Sequence, residues 1–345
     1  MYLPPVGLLR QVVHPSISRL SATRIKVSAS PSTVHRITLE YEQGIVETTP
    51  EAVPSLIIKR IAPDWPGDPQ GPDREYTFYR CLFPRLEQPR PRIYYAGPEP
   101  DTSFRLVIME DIAQAYRFPP PTHLWTWEEM CAILRAYARL HAVGKNHLPP
   151  PAERGWMYAR YETRVLEQAA RLPDMAADIA RRGLWPAVPA LSRLVEATLN
   201  DIQRLADAPV TLLHNDVYPP NLGLPPDLEN EAALLLDWEM AGWGMAEMDL
   251  AYMFCQPFRS QRRIDRAAAQ DYYWAQREQL EGTLATMAER QARQQHADRV
   301  LALWLIPVAH DMAQSPHPPG SGPRQYWDAM FGVLGQRLRQ QCYEI

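Results

Sequence analysis

The sequence has no excess of positive charge and no apolar run long enough to cross a bilayer. Its 36 lysine and arginine residues face 40 acidic ones, so the net charge is -4, and the pI is about 6.2. This balance gives no basic footprint for a phosphate backbone, and we expect no nucleic-acid partner. The longest strongly apolar window near the C-terminus, residues 301–309, is far shorter than the ~20 residues that span a bilayer. We therefore expect no membrane partner.

Cysteine is also scarce. The four cysteines are Cys81, Cys131, Cys255 and Cys342. They form no C-x-x-C pair and have no histidine at ligand spacing, which disfavours both a zinc site and a disulfide framework. The N-terminal residues lack a charged start and are interrupted by Pro4 and Pro5, so no signal peptide is predicted. The expected location is the cytoplasm, and the sequence implies no particular oligomeric state.

The chain does have enough apolar residues, 46 % of 345, to bury a large core. Its first third alternates like β-strands, and its remainder has mostly helical periodicity. Strands are predicted at 25–27, 34–41, 56–59, 92–96 and 104–109, with one helix at 73–82. Later helices are predicted at 125–143, 152–171, 190–206, 262–293, 296–312 and 325–341. The predicted fold class is α+β, with a five-stranded antiparallel sheet and one helix preceding a larger, mostly helical part.

The most informative stretch contains His214, Asp216 and Asn221, followed by Asp237. Two short apolar runs flank a proline-stiffened loop, an arrangement that aims several oxygens at one point. Mg²⁺ needs hard oxygen ligands but retains water, so one or two protein groups plus substrate phosphates suffice. Asn221 and Asp237 are the candidate metal ligands, and Asp216 is the candidate base beside an attacking hydroxyl. A polar turn between two buried strands is the structural alternative.

The H-x-D-x-x-x-x-N pattern at 214–221, with a second aspartate after an apolar strand, resembles the aminoglycoside phosphotransferase and choline kinase superfamily. The D-W-E at 237–239 and the D-L-A at 249–251 are also similar to that superfamily. The resemblance implies a bilobed, protein-kinase-like fold with a nucleotide-binding lobe over 1–111. It implies a catalytic and substrate-binding lobe over 112–345, which carries a short β-hairpin at the active site. ATP and Mg²⁺ are the implied cofactors, and the implied partner is a small molecule with a hydroxyl group.

A kinase also needs a cation on the α- and β-phosphates of the nucleotide. Lys59 ends an apolar strand where such a lysine sits, and Glu75 on the following helix is its expected partner. Arg60 and Arg74 are rival candidates, but Lys59 directly continues the buried run. The alternative for such a pair is an ordinary surface ion pair.

The remaining nucleotide contacts are expected at a loop and at a strand end. The segment 28–33 has no glycine, so Ser30 and Ser32 are the candidates for phosphate contacts, unless the segment is only a polar hairpin turn. The end of the fifth strand resembles the superfamily's hinge. There the backbone of Glu110 and Ile112 is expected to contact adenine.

Three further residues have supporting roles implied by the resemblance. His214 is expected to brace the loop without acting as acid or base. Asp249 is expected to hold the loop through backbone N–H groups, and Glu239 to help with a second Mg²⁺ or only with packing.

The sequence-based function is therefore transfer of the ATP γ-phosphate to a hydroxyl of a small molecule. A catalytically inactive nucleotide-binding pseudokinase or scaffold is the alternative, although none of the expected metal and base residues is missing. A protein kinase is a third hypothesis, disfavoured because no A-P-E segment follows Asp237.

The acceptor pocket is expected within 152–210 and 256–320. Residues 256–300 hold eight arginines against three aspartates and three glutamates, which disfavours a polycationic aminoglycoside. An aromatic cage for a choline-type acceptor, with core packing as the alternative, would use Trp243, Tyr272, Tyr273, Trp274 and Trp304.

Overall fold

The first part of the chain folds into the predicted five-stranded antiparallel sheet. The computed structural model describes residues 2–27, 32–42, 52–65, 68–86, 90–120, 123–185, 188, 191–255, 264–282, 285–314 and 322–343. The sheet comprises β1 (Ile17–Val27), β2 (Ser32–Tyr41), β3 (Ser55–Ile61), β4 (Ile93–Pro98) and β5 (Arg105–Glu110), in the order β1-β2-β3-β5-β4. Two helices accompany it, α1 (Val6–Val12) and α2 (Gly71–Cys81).

The two faces of the sheet bury different partners. Leu56 and Ile58 of β3 join the cluster that also contains Leu9 of α1. Because side chains alternate along a strand, Ile57 and Lys59 lie on the opposite face, beside α2. That face also borders the helical part, so the strand pattern directs Lys59 toward the boundary between the two parts.

The helical part contains eight helices within the described residues. They are α3 (Trp127–His147), α4 (Tyr161–Gln168), α5 (Leu172–Arg181), α6 (Leu191–Arg204), α7 (Glu247–Cys255), α8 (Arg266–Glu281), α9 (Met287–Gln314) and α10 (Gly322–Tyr343). Thr126 and Glu129 form a capping box that starts α3. One face of α3 is buried at every position, namely Met130, Ile133, Leu134, Tyr137, Leu140 and His141.

Four short strands frame the segment that contains His214, Asp216 and Asn221. They are β6 (Thr211–Leu213), β7 (Leu222–Gly223), β8 (Leu234–Leu235) and β9 (Gly242–Gly244). The two apolar runs that flank the loop, at 212–213 and 234–236, belong to different strand pairs. β6 pairs with β9, and β7 and β8 form a short hairpin, both antiparallel. The loop 214–221 thus runs between two separate small sheets, and Asp237 follows the second of them closely.

Several helix predictions need correction. The single helix predicted over 152–171 is broken: a 3₁₀ segment, Pro151–Trp156, precedes α4, which begins at Tyr161. The helix predicted over 262–293 ends at Glu281, because Gly282 takes a φ of 76° that favours glycine and terminates α8.

Three helices were not predicted from the sequence. The short helix α1 follows Pro5 and is an addition to the one helix expected with the sheet. In α5, Pro173 occupies the first turn, where proline is compatible with a helix. Nearly all of α7 is buried, so it has no amphipathic period to detect. Among the described helices, none combines the length and apolar character required to span a bilayer.

Candidate active site

A cleft of about 300 Å³ lies between the sheet and the helical part. Ligand pockets for small molecules occupy roughly 300–1,000 Å³. Its sheet side is apolar, with Ile25, Val34 and Ile57, and Phe118 and Leu236 face them from the helical side. The charged or amide side chains that line it include Arg36, Lys59, Glu75, Asn221 and Asp237, and residues 109–113, at the end of β5 and just after it, border it as well. The cleft thus has the features of a site for a flat apolar group with a charged tail.

Lys59 is the centre of the polar end. Its ammonium lies 2.6 Å from Glu75 Oε2 and 3.1 Å from Glu239 Oε2, and it also donates to Asp237 Oδ1. Lys59 is only 5 % exposed. The structure therefore joins the predicted Lys59–Glu75 pair, and it adds two carboxylates from the segment after β8.

Burial and charge act in opposite directions on this cluster. Burial opposes the charge of Lys59, but Asp237, Glu239 and Glu75 outweigh it, and the pKa of Lys59 is raised well above its usual value. Burial raises the pKa of Glu75 to about 7, although the nearby ammonium of Lys59 lowers it. Lys59 is thus fixed as a cation, while Glu75 titrates near neutral pH.

The two rival arginines have other partners. Arg60 falls on the opposite face of β3 and pairs with Glu99 at 2.9 Å. Arg74 is 2 % exposed, and its guanidinium contacts both carboxylate oxygens of Asp68 at 2.8 and 2.9 Å. Arg74 also donates to the Glu239 carbonyl at 2.9 Å and lies 5.2 Å from the ring centroid of Tyr158.

Arg74 therefore connects α2 to the turn after Asp237, a role that was not predicted from the sequence. A signal was present. Arg74 and Glu75 each precede a buried aromatic, Phe78 and Tyr79, by one helical turn, so both belong to the buried face of α2.

Asp216 and Asn221 contact each other across the loop between β6 and β7. The Asn221 amide nitrogen donates to Asp216 Oδ2 at 2.6 Å. Because its nitrogen points to Asp216, Asn221 has its carbonyl oxygen as the atom that suits a hard cation. The neighbouring Pro219 and Pro220 restrict the backbone and force the 3₁₀ turn that carries Asn221.

His214 is a fully buried brace inside this loop. Its Nδ1 accepts the Asp216 N–H at 3.3 Å, so Nε2 carries the proton and donates to the Leu236 carbonyl at 2.9 Å. Burial lowers the pKa of His214, which keeps the ring neutral. The ring also packs edge-on against Trp238, with centroids 4.4 Å apart. His214 thus connects the Asp216 loop to the strand end that precedes Asp237.

Asp249 on α7 holds the same loop through hydrogen bonds to its backbone. Its carboxylate accepts the backbone N–H of His214 at 2.9 Å and that of Asn215 at 2.8 Å. It also accepts from Nε2 of His141, at 3.1 Å. His141 and Asn215 were not singled out from the sequence, because Asn215 occupies an unspecified position of the H-x-D pattern and His141 lies on the distant helix α3.

Two residues of the site have left-handed backbone conformations. Asn215 has a φ of 61° and Asp237 a φ of 67°. Asparagine and aspartate tolerate this region better than most residues, and such conformations concentrate at functional sites. In Asn215 the side chain compensates by donating to the Met240 carbonyl at 3.0 Å.

Of the residues expected to contact the nucleotide, some line the cleft and others do not. Ser30 lies outside the described residues. Ser32 is buried in β2 opposite Ile61, and it does not line the described part of the cleft. Glu110 and Ile112 do line it, and the Glu110 N–H donates to the Arg92 carbonyl at 2.9 Å.

The five aromatic residues considered for a cage do not form one cluster. Tyr273 and Trp274 are core side chains beside α3. Trp304 packs in a different hydrophobic cluster, where its ring centroid lies 4.7 Å from that of Tyr161. The structure also accounts for the arginine excess over 256–300. Every arginine of that segment that the structure describes pairs with a carboxylate, namely Arg266, Arg277, Arg290, Arg293 and Arg299.

Comparison with solved structures shows that the fold is shared with small-molecule kinases. A putative aminoglycoside phosphotransferase from Ralstonia eutropha JMP134 is 16 % identical, with a TM-score of 0.63 and 97 % of each chain covered. A microcompartment-associated aminopropanol kinase is 14 % identical, with a TM-score of 0.61, covering 97 % of this chain and 98 % of its own. A spectinomycin phosphotransferase, solved with ADP and spectinomycin, is 12 % identical, with a TM-score of 0.58 and 97 % of each chain covered.

These likenesses show a bilobed, protein-kinase-like α+β fold. No curated protein sequence matches the chain significantly. The profile of the phosphotransferase enzyme family, however, matches residues 23–300, which is most of the chain. The protein belongs to the phosphotransferase enzyme family.

Proposed function

We propose that the protein transfers the γ-phosphoryl group of ATP to a hydroxyl group of a small molecule. The observation that carries this is the convergence of Lys59, Glu75, Asn221 and Asp237 at the polar end of one cleft, with Asp216 hydrogen-bonded to Asn221. Phosphoryl transfer requires mainly positioning and charge neutralisation, and this set of groups supplies both.

The apolar end of the cleft suits the adenine base. The proposal assigns the base to the gap between Ile57 and Leu236, with the Glu110 carbonyl and the Ile112 N–H as its backbone contacts. It assigns residues 1–111 to the nucleotide-binding lobe and 112–345 to the catalytic lobe, because the last strand of the sheet ends at Glu110.

The donor set at the polar end fits a magnesium ion. The carboxylate of Asp237 and the amide oxygen of Asn221 are hard oxygen donors on one wall of the cleft, and they would hold it. When bound, the ion would neutralise phosphate charge. Lys59, kept in place by Glu75, would contact the α- and β-phosphate oxygens, while Asp216 would orient the acceptor hydroxyl and accept its proton.

The structural neighbours support a small-molecule acceptor, since their names refer to aminoglycosides, spectinomycin and aminopropanol. All of these carry hydroxyl groups. An inactive scaffold gains no support, because the structure brings together the four charged or amide groups that the transfer needs.

The test is Asp216→Asn, measured with a nucleotide-turnover assay over a panel of small hydroxyl compounds. We expect kcat to fall about 10²–10⁴-fold, the usual contribution of a general base, while binding of a fluorescent ATP analogue is retained. Asp227→Asn, at an exposed turn of the same segment, is the matched control and should leave turnover unchanged. Near-normal turnover by Asp216→Asn would show that the assigned base is wrong.

A further inference from the structure

Arg74 is a buried arginine on α2 that contacts three separate segments of the chain. Its guanidinium binds both carboxylate oxygens of Asp68, at 2.8 and 2.9 Å, and donates to the Glu239 carbonyl at 2.9 Å. The guanidinium carbon also lies 5.2 Å from the ring centroid of Tyr158. Asp68 lies just before α2, whereas Tyr158 and Glu239 belong to the part of the chain that follows the sheet. One side chain therefore crosses the boundary between the sheet and the helical part.

The Tyr158 contact adds a second connection to the turn that carries Glu239. The Tyr158 N–H donates to the Ala241 carbonyl at 2.8 Å, and the Ala241 N–H donates to the Trp238 carbonyl at 3.0 Å. Tyr158 is buried, so its ring has little freedom to move beside the guanidinium. Arg74 thus contacts the turn 238–241 directly, and also through Tyr158.

The two segments that Arg74 joins carry groups that the proposed function places on the phosphates. Glu75, next to Arg74 on α2, contacts the Lys59 ammonium at 2.6 Å. Asp237 directly precedes the turn, and its φ of 67° is a conformation that only the surrounding structure maintains. A shift of α2 relative to the turn would therefore move the Lys59–Glu75 pair away from Asp237.

Arg74 lies outside the set of described residues that line the cleft. A nucleotide in the cleft would therefore leave its contacts in place. Lys59 does line the cleft, and the proposed function directs its ammonium to phosphate oxygens. Arg74 can thus hold α2 against the turn both with and without a nucleotide.

Apolar packing also joins α2 to the turn, but it fixes their relative position less sharply. The rings of Phe78 and Trp238 stack with centroids 4.0 Å apart. Hydrophobic burial is non-directional, whereas a guanidinium fork binds two carboxylate oxygens in one geometry. Because a buried ion pair adds little stability over apolar residues of similar volume, the arginine is better suited to fixing a position than to stabilising the fold.

We propose that Arg74 is a positioning residue that sets the distance between the Lys59–Glu75 pair and Asp237. It thereby controls the affinity for nucleotide phosphates without touching them. This inference rests on the proposed function for the identity of the ligand, whereas the junction itself consists of contacts within this chain.

The experiment compares Arg74→Met with a matched control, Arg105→Met. Arg105 on β5 also pairs with a carboxylate of α2, that of Asp73, at 2.9 Å. That pair stays beside the sheet and does not reach the turn after Asp237, so the control removes an ion pair of the same helix without touching the boundary.

The affinities for adenosine and for the magnesium complex of a non-hydrolysable ATP analogue are measured by calorimetry. Arg74→Met should bind the analogue about tenfold more weakly, because one charge-assisted phosphate contact would be lost. Adenosine has no phosphate, so its affinity should stay within about twofold of the wild-type value. Arg105→Met should bind both compounds like the wild type.

Two results would overturn the inference: an unchanged affinity of Arg74→Met for the analogue, or an equal loss for the analogue and adenosine. If Arg74→Met does not fold, Tyr158→Leu takes its place, since it removes the aromatic face of the junction and keeps the ion pair with Asp68. A loss of about threefold for the analogue alone supports the inference, and equal affinities refute it.

Hydrogen exchange in the nucleotide-free protein separates this inference from the proposed function. The turn 238–241 is followed by mass spectrometry, and its exchange should become severalfold faster in Arg74→Met, because the turn loses an anchor. Arg105→Met should exchange like the wild type. A wild type that binds no nucleotide would contradict the proposed function, whereas unchanged exchange of the turn in Arg74→Met would refute the role of Arg74 whether or not nucleotide binds.

Discussion

The imidazole of His141 donates to the carboxylate of Asp249 at 3.1 Å, at a point where both side chains are completely buried. The other ring nitrogen, Nδ1, lies 2.7 Å from the hydroxyl of Tyr273, which donates to it. Burial lowers the pKa of His141, so the ring is neutral. Through this contact, α3 and α8 fix the carboxylate that in turn holds the Asp216 loop.

Asp249→Asn tests whether this carboxylate positions the loop. Three donors converge on Asp249, and an asparagine would present an NH₂ group to at least one of them. We expect the free energy of unfolding to fall by about 2–4 kcal/mol, as for a buried polar group left unsatisfied. Because the loop would move, kcat should fall as well, with a smaller change in nucleotide affinity. Chemical denaturation and steady-state kinetics measure the two effects.

The control for this variant is Asp178→Asn, which removes a partly exposed carboxylate paired with Arg181 and Arg182 at the end of α5. Exposed pairs contribute little, so neither stability nor kcat should change. Equal behaviour of the two variants would contradict the positioning role of Asp249.

Glu75 should give stability an unusual pH dependence. Its pKa is about 7 in the folded protein, against an ordinary value of 4.5. Between these values the folded protein retains a proton that the unfolded chain releases, so this group makes stability fall as the pH rises. In Glu75→Gln this contribution is absent. The wild type should therefore lose stability relative to Glu75→Gln between pH 5 and pH 7, by up to about 1.4 kcal/mol per pH unit.

The measurement is urea denaturation of both proteins across that range, with chelator present to exclude divalent cations. Glu229→Gln, which removes an exposed carboxyl group, serves as the control and should track the wild type. A wild type that gains stability relative to Glu75→Gln with rising pH would show that the carboxyl is ionised throughout.

The sequence predicted those parts of the site that have a local pattern. Lys59 could be placed because strand alternation directs it to the face opposite Leu56 and Ile58. Asp216 and Asn221 could be placed because a short proline-stiffened loop has few conformations. In each case the position depends on residues close in the chain.

The missed parts depend on contacts between distant segments. Asp249 was expected to hold the loop, but its third donor, His141, is 108 residues away, and no local pattern reports such a contact. From the sequence, Arg74 was a candidate for the same role as Lys59. Only the packing of α2 against the turn after Asp237 shows that Arg74 connects these two segments instead. The α7 helix was missed for a related reason, since complete burial removes the amphipathic period.

Gly242 shows the same dependence on distant contacts, and it offers a sharp test of the loop geometry. A Cβ added there would overlap the side-chain nitrogen of Asn215 and lie 3.1 Å from the Tyr158 carbonyl oxygen. In Gly242→Ala, Asn215 must therefore shift, and it directly precedes the proposed base. We expect a stability loss of about 1–3 kcal/mol from overpacking.

Gly242→Ala should also lower kcat by about ten- to a hundredfold, because a small displacement of a catalytic group is enough to cost that much. Gly155→Ala is the matched control, since a Cβ at Gly155 meets nothing within 4 Å, and it should retain wild-type stability and turnover. If Gly242→Ala also retained wild-type turnover, the position of Asn215 would not control the base. The left-handed conformation of Asn215 would then be a purely structural feature of the turn, rather than part of what holds Asp216 toward the acceptor.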